Sequence, residues 1–542
     1  MANVSREPGL KFRSNTLPVT SEKSLMKDSD EFIDQLIEDA LGKYSPELDT
    51  LELLLVLRDR LGRIDYRVLN WVADKAKLPR VKLYELASFY PALREQGPSV
   101  REHIDACGDL VCALSQPHSG NSRRNAASQF RSDFSQACRG QCDRLGSRNA
   151  TTDAKEAPVG TSARNLDDYR KAGGYQYLTS LHNGDTDAGD VIDSLEKVAE
   201  IGRSGGNFPV HRKWHSILEK DDTPVVIVNA SEGELGTFKD RHILENDPHG
   251  VIDGALVAAR TIQAQEIIIY LRDEYSHLMK ILTESIKEVQ ESKLIGKIGV
   301  RIRRAGGAYI CGEETALISS LEGERAYPKE RPPFPTESGL RNRPTLVHNV
   351  ETFYRIRRAW GMRVEPSEDV TRLLDPACHA LSVCGRGSVP GVRIIPRAST
   401  VVSLIGSAGG LPDGSELGGV ILGGAAGTIL TPDQCRMSFD DLSSSGIRLG
   451  SGSVIVFAAT DDIRWIAAKM ASFLARESCG KCAPCRIGTI KTAELLGGDQ
   501  ELSHDDMSAL STALREASIC GLGRSAGQFA AEVATLLEGR ST

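Results

Sequence analysis

The sequence predicts a multidomain α/β protein with a helical region on each side of a central α/β domain. Its 542 residues exceed what one core usually holds, at roughly 150 residues per domain. Between residues 166 and 370, short β-branched runs alternate with amphipathic segments, which is typical of an α/β domain. The flanking regions 31–98 and 456–540 carry apolar residues at i, i+3 and i+4, the spacing of helices that bury one face.

The N-terminal third is predicted to contain a tail, a helical bundle and a linker. Residues 1–30 are polar, lack periodicity and are expected to be flexible. A bundle is predicted for residues 31–98, because amphipathic stretches there end at Gly, Ser or Pro, as in "DEFIDQLIEDALGKY" and "LDTLELLLVLRDRLG". Residues 99–150 hold four cysteines, and residues 151–165 are small and polar, as in a linker.

The central domain is predicted from three strand-like runs and two long helical segments. The runs are "PVVIVNA", "EIIIYL" and "KIGVRIRR", and the helical segments are "GVIDGALVAARTIQ" and "SHLMKILTESIKEVQESKL". Residues 375–455 read as short strands with glycine turns, which predicts a small β-rich module. Helical periodicity then returns in the last 80 residues, which contain a second group of cysteines.

Charge and hydropathy exclude two classes of partner. A net charge of −7 gives no electrostatic reason to expect nucleic acid. No apolar run reaches the roughly 18–20 residues that span a bilayer, so we expect no direct membrane insertion. The N-terminal residues lack the apolar core of a signal peptide, and the sequence therefore predicts a cytoplasmic protein.

The cysteines near the C-terminus predict an iron–sulfur cluster. "ESCGKCAPCRIGT" spaces three cysteines as C-x2-C-x2-C, and a fourth follows in "SICGLG". Three thiolates on one tight loop and one from a distant segment suit a [4Fe–4S] cluster, with zinc as the alternative. The predicted ligands are Cys479, Cys482, Cys485 and Cys520. The preceding "DIRWIAAKMASFLAR" is an amphipathic helix that would hold the loop rigidly.

The cysteines in residues 99–150 form two pairs. The pairs have C-x4-C and C-x3-C spacing and suit either a [2Fe–2S] cluster or a zinc ion. These candidate ligands are Cys107, Cys112, Cys138 and Cys142. The other cysteines lie apart in sequence and are expected to be buried as small hydrophobic residues: Cys311, Cys378, Cys384 and Cys435.

A glycine-rich stretch, "IGRSGGNFPVHRKW", is the candidate ligand loop of the central domain. Glycines allow sharp turns and close approach of the backbone to a ligand. The spacing matches no standard dinucleotide or nucleotide-phosphate motif, so from its own residues the loop is either a cofactor cradle or an ordinary turn.

Taken in order, these motifs resemble the two NADH-oxidising subunits of respiratory complex I fused in one chain, namely the thioredoxin-like [2Fe–2S] subunit and the 51 kDa-type flavin subunit. The resemblance is carried by "ESCGKCAPCRIGT", "ASICGLG", "GAYICGEETALISSLEG", "RPPFP" and "RPTLVHNVETF". The organisation is most similar to the diaphorase (beta) subunit of NAD-dependent molybdenum or tungsten formate dehydrogenases. It implies a thioredoxin-like domain at 99–150, an FMN/NAD(H) domain at 166–370, a β-grasp-like (SLBB) module at 375–455 and a [4Fe–4S] domain at 456–540.

The resemblance also implies chemistry and partners. Hydride passes between NAD(H) and FMN, and single electrons then pass through both clusters to or from a partner, because a flavin couples two-electron to one-electron chemistry. The expected partner is the molybdenum- or tungsten-pterin alpha subunit of a formate dehydrogenase. The alternatives are a quinone-reducing NADH dehydrogenase, the diaphorase of an NAD-reducing hydrogenase, or a catalytically impaired electron-relay subunit.

The cofactor contacts follow from the same resemblance. Lys213 and Arg331 would meet phosphates, Phe208 and Phe334 would stack on nucleotide bases, and Glu232 and Glu314 would lie on the nicotinamide side. The plainer alternatives are core aromatic residues and, for "SEGELGTFKDR", a solvated charged turn. The complete predicted set is Gly202, Arg203, Gly205, Phe208, Lys213, Asn229, Ser231, Glu232, Gly312, Glu313, Glu314, Arg331, Phe334, Asn349 and Thr352.

Several residues depart from the family pattern, and they gather at the flavin and nucleotide site. Asn tolerates positive φ better than other non-glycine residues, so Asn207 is predicted to preserve the turn. Ser231 replaces an Asp and lacks the charge that strengthens a hydrogen bond. Weaker FMN retention, altered nucleotide preference or lost diaphorase activity are the possible consequences. The departing residues are Ser204, Gly206, Asn207, Val210, His211, Ser231, Leu235 and His348.

Overall fold

The computed structural model describes residues 30–46, 49–94, 110, 163–203, 207–362, 370–425, 427–498 and 503–538. Within these ranges, no helix has both the length and the apolar composition that crossing a bilayer requires. The cysteine-rich region predicted to be thioredoxin-like lies outside the described residues, apart from Leu110.

The N-terminal described region is helical, as predicted. Leucines and isoleucines on one face of each helix are buried between the helices, including Leu54 and Val72. Gly62 ends one helix with φ 86°, a left-handed conformation that favours glycine. Asp65 begins the next by accepting a hydrogen bond from the backbone N–H of Val68. The helices are α1 (Asp30–Leu41), α2 (Thr50–Leu61), α3 (Tyr66–Ala76) and α4 (Arg80–Phe89).

A parallel sheet covered on both faces forms the central domain. Side chains of β1 alternate between the two cores, with Ile227 on one face and Val228 on the other, which explains the continuous apolar runs in the sequence. The strands are β1 (Val225–Ala230), β2 (Glu266–Arg272), β3 (Gly299–Ala305) and β4 (Thr345–Asn349). The helices are α5 (Leu166–Lys171), α6 (Gln176–Asn183), α7 (Ala188–Lys197), α8 (Val210–Leu218), α9 (Lys239–Asn246), α10 (Pro248–Thr261), α11 (Leu278–Glu291), α12 (Glu314–Leu321) and α13 (Val350–Arg355).

The strand order β3-β2-β1-β4 determines where a ligand can bind. The chain runs outward from β1 to β2 and β3 and then returns to place β4 on the other side of β1. Such a reversal leaves a crevice beyond the carboxyl ends of the two neighbouring strands. Asn229 and Asn349 occupy paired positions at these ends of β1 and β4. Strand β4 was not predicted from the sequence.

The β-rich module contains a mixed sheet in the order β6-β5-β9-β7-β8. Four of the five strands lie within residues 375–455, from which they were predicted, and the fifth extends three residues beyond, to Ala458. They are β5 (Cys378–Gly385), β6 (Gly391–Pro396), β7 (Leu417–Leu422), β8 (Thr428–Leu430) and β9 (Ser453–Ala458). Two short helices cover the sheet, α14 (Val401–Ser407) and α15 (Phe439–Ser444).

The C-terminal domain is a group of packed helices, as predicted. They are α16 (Ile463–Glu477), α17 (Ala483–Gly497), α18 (His504–Ala517) and α19 (Gly521–Glu538). Apolar residues of these helices, such as Phe529, share one hydrophobic core with Leu54 of the N-terminal helices and with Ile227 of the central sheet. One core therefore joins the three regions.

A buried ion-pair cluster fixes the N-terminal helices to the central domain. The Arg304 guanidinium at the end of β3 donates to Glu52 at 3.0 Å and to Asp59 at 2.6 Å. Arg58 on α2 donates to Asp273, which follows β2, at 2.7 Å. These contacts join residues more than 200 positions apart, and the helices are therefore part of the same rigid unit as the sheet.

The predicted fold class is confirmed: helices at the N-terminus, a central α/β domain, a β-rich module and a helical C-terminal domain. The four cysteines expected to act as small hydrophobic residues are buried, also as predicted: Cys311, Cys378, Cys384 and Cys435.

Candidate functional site

The crevice beyond β1 and β4 opens into a cavity of about 670 Å³, which we call the aromatic cavity after Phe208 and Phe334. Asn229 and Asn349 form its floor at the strand ends. Phe208 is 54% exposed and Phe334 is 50% exposed. The two aromatic residues therefore do not belong to the core, and the plainer alternative for them is wrong.

Two cationic side chains are held in the aromatic cavity by carboxylates. Lys213 on α8 donates to Glu314 and, at 2.8 Å, to the carbonyl oxygen of Val347. Arg331 donates to Glu313 at 2.5 Å and lies 3.5 Å from Glu314. These positions place both predicted phosphate-binding cations on the cavity wall. A nucleotide phosphate would compete with the two glutamates for them.

A second cavity, of about 780 Å³, adjoins the first, and we call it the central cavity. The two cavities share Asn229, Gly312, Glu313 and Asn349 in their linings. Residues of the central domain, of the β-rich module and of α19 all contribute to the wall. Volumes of this order are typical of cofactor and nucleotide sites.

Glu232 lines the central cavity, but its carboxylate is occupied by the protein. It accepts hydrogen bonds from the backbone N–H groups of Asp240 and Arg241, at 2.9 and 3.1 Å, and from the Tyr275 hydroxyl at 3.0 Å. It therefore caps the N-terminus of α9. Burial, followed by repulsion from Asp240, raises the pKa of Glu232. A contact with nicotinamide stays a prediction.

The segment "SEGELGTFKDR" is not a solvated turn. Lys239 is only 3% exposed, and its ammonium lies 2.7 Å from Asp240 and 3.0 Å from Glu351. Burial alone would lower the pKa of Lys239, but the two carboxylates outweigh it and hold that pKa above its usual value. The charged residues of this segment therefore form part of the interior wall beneath the cavity.

Two cavity-lining residues were missed from the sequence. Glu234 accepts hydrogen bonds from the Tyr309 hydroxyl and, at 2.8 Å, from the backbone N–H of Ala425 in the β-rich module. Both Glu234 and Tyr309 line the central cavity. Glu234 lies in "SEGELGTFKDR" and Tyr309 in "GAYICGEETALISSLEG", so both belong to motifs that the sequence contains. Only the structure shows that their side chains are in contact.

Ser204, Gly205 and Gly206 of the glycine-rich loop lie outside the described residues, and on their two sides the backbone N–H of Gly202 donates to the carbonyl oxygen of Phe208 at 2.9 Å. Asn207 has φ 48°, which confirms the prediction that it adopts a left-handed conformation. The backbone N–H of Arg203 donates to the Thr352 hydroxyl at 3.0 Å, and this bond fixes the loop to α13. Gly202 and Phe208 both line the aromatic cavity.

The described departures from the family pattern separate into two groups, and Leu235, which is buried and lines neither cavity, belongs to the first. Val210 and His211 lie on α8 and are absent from the lining of both cavities. Asn207, Ser231 and His348 do line them. The Nε2 atom of His348 accepts a hydrogen bond from the Trp214 indole at 3.0 Å.

The structure places the four predicted [4Fe–4S] ligands on neighbouring elements of the C-terminal domain. Cys479 and Cys482 lie in the α16–α17 loop, Cys485 lies in the first turn of α17, and Cys520 directly precedes α19. The pKa of the Cys485 thiol is raised to about 12. Burial is the main cause, the hydrogen bond with Ser478 opposes it, and the charges of the other three cysteines add to it. In the described residues, no three Cys, His, Asp or Glu side chains converge as the ligands of one metal ion would.

Glycines lie at close contacts both in the wall of the central cavity and beside the cysteine loop. A Cβ on Gly312 would lie 3.2 Å from the carbonyl oxygen of Ser231, and one on Gly233 would lie 3.1 Å from the Tyr309 backbone, so the wall accepts only glycine without a local shift. At the cysteine loop, a Cβ on Gly523 would lie 3.1 Å from the Cβ of Cys485. The glycines thus leave space for a flavin beside the asparagines, and the four free thiols match a [4Fe–4S] cluster in ligand type and number.

Direct contacts join the cysteine loop to the cavity wall. The Glu477 carboxylate at the end of α16 accepts a hydrogen bond from the backbone N–H of Tyr309 at 2.8 Å. Lys481, between the first two cysteines, donates to the carbonyl oxygen of Pro328 at 2.6 Å. Gly521, next to Cys520, lines the central cavity. A ligand in that cavity and a cluster on the thiolates would be close neighbours.

Three family models match the chain. The Nuo51 FMN-binding domain matches residues 196–358, and the iron–sulfur binding region of NADH-ubiquinone oxidoreductase-F matches residues 465–537. The thioredoxin-like [2Fe–2S] ferredoxin model matches residues 36–131, which include Cys107 and Cys112 but end before Cys138 and Cys142. The models favour iron–sulfur clusters over zinc at both cysteine groups.

Curated proteins and solved structures agree with these models. The NADH-quinone oxidoreductase F protein of Aquifex aeolicus is 35% identical over 382 residues, which cover 67% of this chain and 87% of that protein. The HndC protein of the NADP-reducing hydrogenase of Solidesulfovibrio fructosivorans is 30% identical, with coverage of 69% and 80%. A chain of an NAD⁺-reducing [NiFe]-hydrogenase in the H₂-reduced state superposes with a TM-score of 0.65 at 25% identity, over 93% of this chain and 91% of that one.

The ordered cofactor regions and this extent of similarity lead to one conclusion. The chain belongs to the family of flavin and iron–sulfur NADH oxidoreductases that includes the NADH-quinone oxidoreductase F proteins, with regions that bind FMN, NAD(H), a [2Fe–2S] cluster and a [4Fe–4S] cluster.

Proposed function

We propose that this chain is the diaphorase subunit of an NAD(H)-linked redox complex and that it exchanges electrons with a separate catalytic subunit. The observation that carries the proposal is the continuity between the aromatic cavity, the central cavity and the cysteine loop. When bound, FMN supplies the conversion between hydride transfer and one-electron transfer. The complex functions in the cytoplasm in this proposal.

The residues of the cavities have separate roles in the proposed reaction. Phe208 and Phe334 offer exposed faces to the bases of the nucleotide. Lys213 and Arg331 bind phosphate in place of their present carboxylate partners. Asn229 is fixed by its bond to the carbonyl oxygen of Gly312, at 2.9 Å, and forms the floor of the flavin site.

The wider set of predicted contacts completes the flavin site in this proposal. The resemblance assigns Gly202, Arg203, Gly205, Asn349 and Thr352 to the flavin site, of which Gly205 lies outside the described residues. It also assigns Ser231, Glu232, Gly312, Glu313 and Glu314, all of which line one or both of the two cavities. Cys479, Cys482, Cys485 and Cys520 hold the [4Fe–4S] cluster, and Cys107, Cys112, Cys138 and Cys142 hold the [2Fe–2S] cluster.

The decisive experiment separates flavin chemistry from cluster chemistry. Protein produced with iron and supplemented with FMN should reduce a dye with NADH and should show an iron–sulfur EPR signal after addition of NADH. Cys482→Ala should lose the [4Fe–4S] signal, whereas Cys435→Ala, a buried cysteine of the β-rich module, should keep it. Absence of both flavin absorbance and NADH-dependent dye reduction would refute the proposal.

The partner is proposed to be the molybdenum- or tungsten-pterin subunit of a formate dehydrogenase, because the fused organisation resembles that enzyme's beta subunit. A hydrogenase is the second candidate, favoured by the superposition over 93% of the chain. Metal analysis of the co-purified complex distinguishes them. Molybdenum or tungsten supports the first partner, and nickel supports the second.

A relay subunit without NADH turnover is the candidate from another functional class. It is favoured by Asn207, Ser231 and His348, the family departures that line the cavities. This candidate predicts an EPR signal after dithionite and none after NADH. Restoration of NADH oxidation by Ser231→Asp with His348→Asn would show a weakened active site rather than a relay.

A further inference from the structure

A third cavity, of about 430 Å³, lies between the central domain and the β-rich module, and we call it the basic cavity. One side is formed by Val198, Ala199, Ile201, Arg203 and Asn207, and the other by residues 376–381 and 443–452 of the β-rich module. It adjoins the central cavity at Arg203, Lys239 and Arg448. Of the predicted site residues only Arg203 lines it, and no ligand has been assigned to its other described lining residues.

Basic side chains dominate the lining of this cavity. Among its described lining residues, the only carboxylate belongs to Glu351. The cations are Arg203, Lys239, Arg358, Arg397 and Arg448. They come from both sides, because Arg358 belongs to the central domain, whereas Arg397 and Arg448 belong to the β-rich module. An anion between them would therefore be held by two domains.

Nearby carboxylates compensate only part of this charge. Glu200 is fully buried and is shared by Arg203 at 2.8 Å, Arg358 at 2.9 Å and Arg355 at 3.6 Å. Glu351 is a second carboxylate, 3.9 Å from Arg355, so two negative charges face these three guanidinium groups. Arg397 has its own partner in Asp440, at 2.8 Å. The local excess of positive charge therefore lies on the side lined by Arg358.

Hydrogen-bond donors also remain unused. The Nε and Nη1 atoms of Arg358 are buried and have no acceptor in the described structure. Arg448 forms no hydrogen bond or ion pair within the described ranges, although it lines both the basic and the central cavity. Burying an unsatisfied donor costs about 1–3 kcal/mol, and more if the group is charged. An anion that accepts several hydrogen bonds would remove this cost.

His379 makes the cavity suitable for a polar anion without adding charge. Burial, followed by the positive charge of Arg203, lowers the pKa of His379 to about 4. The imidazole is therefore neutral at pH 7 and can exchange a hydrogen bond with a ligand. Guanidinium groups match the geometry of phosphate oxygens, and several such groups from two sides suit a dianion.

We propose that the basic cavity binds a phosphate monoester between Arg358 of the central domain and Arg448 of the β-rich module. The phosphate has two possible sources, FMN bound in the adjoining central cavity or a separate phosphorylated ligand. The first source rests on the proposed function, and the second does not. Either source would make the position of the β-rich module depend on phosphate.

Arg448→Gln is the test variant, because Arg448 has no partner in the described residues whose loss would disturb the fold. Arg436→Gln is the matched control, since Arg436 lies in the same module, is 78% exposed and does not line the cavity. Flavin-free protein is titrated with FMN and with riboflavin by fluorescence quenching. FMN-loaded protein is titrated with inorganic phosphate by calorimetry.

If FMN supplies the phosphate, Arg448→Gln should weaken FMN binding about tenfold and leave riboflavin binding unchanged, as expected for loss of a charge-assisted hydrogen bond. If a separate ligand supplies the phosphate, FMN and riboflavin should bind to Arg448→Gln as they do to the wild type. Arg448→Gln should then weaken binding of inorganic phosphate to the FMN-loaded protein. The proposal is overturned if Arg448→Gln equals Arg436→Gln in all three titrations. The double variant Arg397→Gln/Arg448→Gln, checked for folding by circular dichroism, must weaken binding of the phosphate-bearing ligand more than Arg448→Gln alone does.

Discussion

The ion pairs that hold the N-terminal helices predict a large effect of Arg304→Met. The methionine keeps most of the side-chain volume but removes the guanidinium from Glu52 and Asp59. The Glu52 side chain is only 10% exposed, so its carboxylate would stay buried with one backbone bond, from the N–H of residue 304 at 3.0 Å. Removing one partner of a buried ion pair costs about 3–5 kcal/mol.

The other contacts of Arg304 set bounds on this value. The Asp59 side chain is 47% exposed, so losing that pair adds about 1 kcal/mol at most. Asp273 keeps its bond to Arg58 at 2.7 Å and should contribute little. We therefore expect Arg304→Met to lower the free energy of unfolding of the helix–sheet unit by about 3–5 kcal/mol.

Arg301→Met is the matched control on the same strand. Arg301 pairs with Glu266 at 2.7 Å, but its side chain is 37% exposed, so the expected loss is below about 1 kcal/mol. Hydrogen exchange of helices α2 to α4, together with urea denaturation, measures the difference. Glu52→Gln added to Arg304→Met should recover part of the loss. Equal effects of the two arginine substitutions would refute the reasoning.

Three further predictions concern a histidine, a glycine and the exposed aromatic residues. Burial, and then the charge of Lys213, holds the pKa of His348 well below its usual value. The unfolded chain therefore binds a proton below pH 6.5 that the folded chain does not, and between pH 7.5 and 5.5 the wild type should lose about 1.4 kcal/mol of stability relative to His348→Asn in urea titrations. Gly254→Ala should lower the melting temperature, because its Cβ would lie 2.1 Å from the Phe353 carbonyl oxygen, whereas Gly406→Ala meets nothing within 4 Å and should not. Phe208→Ala should raise the KM for NADH about two- to tenfold in steady-state assays; an unchanged KM would mean that no base stacks on Phe208.

The sequence was sufficient for the elements whose periodicity is local. Continuous β-branched runs identified β1 to β3, and amphipathic spacing identified the helices of both terminal regions. Strand β4 was missed because its five residues, "TLVHN", end in two polar side chains and follow a Pro-rich segment. Its place beside β1 depends on a pairing across more than 100 residues, which no local pattern contains.

The candidate site also has some features that the sequence predicts and others that only the structure shows. Cysteine spacing predicts the cluster ligands, because several thiolates at short intervals are typical of a cluster loop. The burial of Lys239 and the bridge from Glu234 to Ala425 could not be predicted, since charged residues next to a strand end usually face solvent. Only the tertiary structure shows that the β-rich module covers them.

The contacts of Tyr309 have a consequence for the order of maturation. Its backbone N–H is bound to Glu477 beside the cysteine loop, and its hydroxyl is bound to Glu234 in the cavity wall. Gly521 and Leu522, from the last described helix to be synthesised, complete that wall. The wall of the central cavity is therefore unfinished until the C-terminal helices, which carry the predicted cluster ligands, have packed against the central domain.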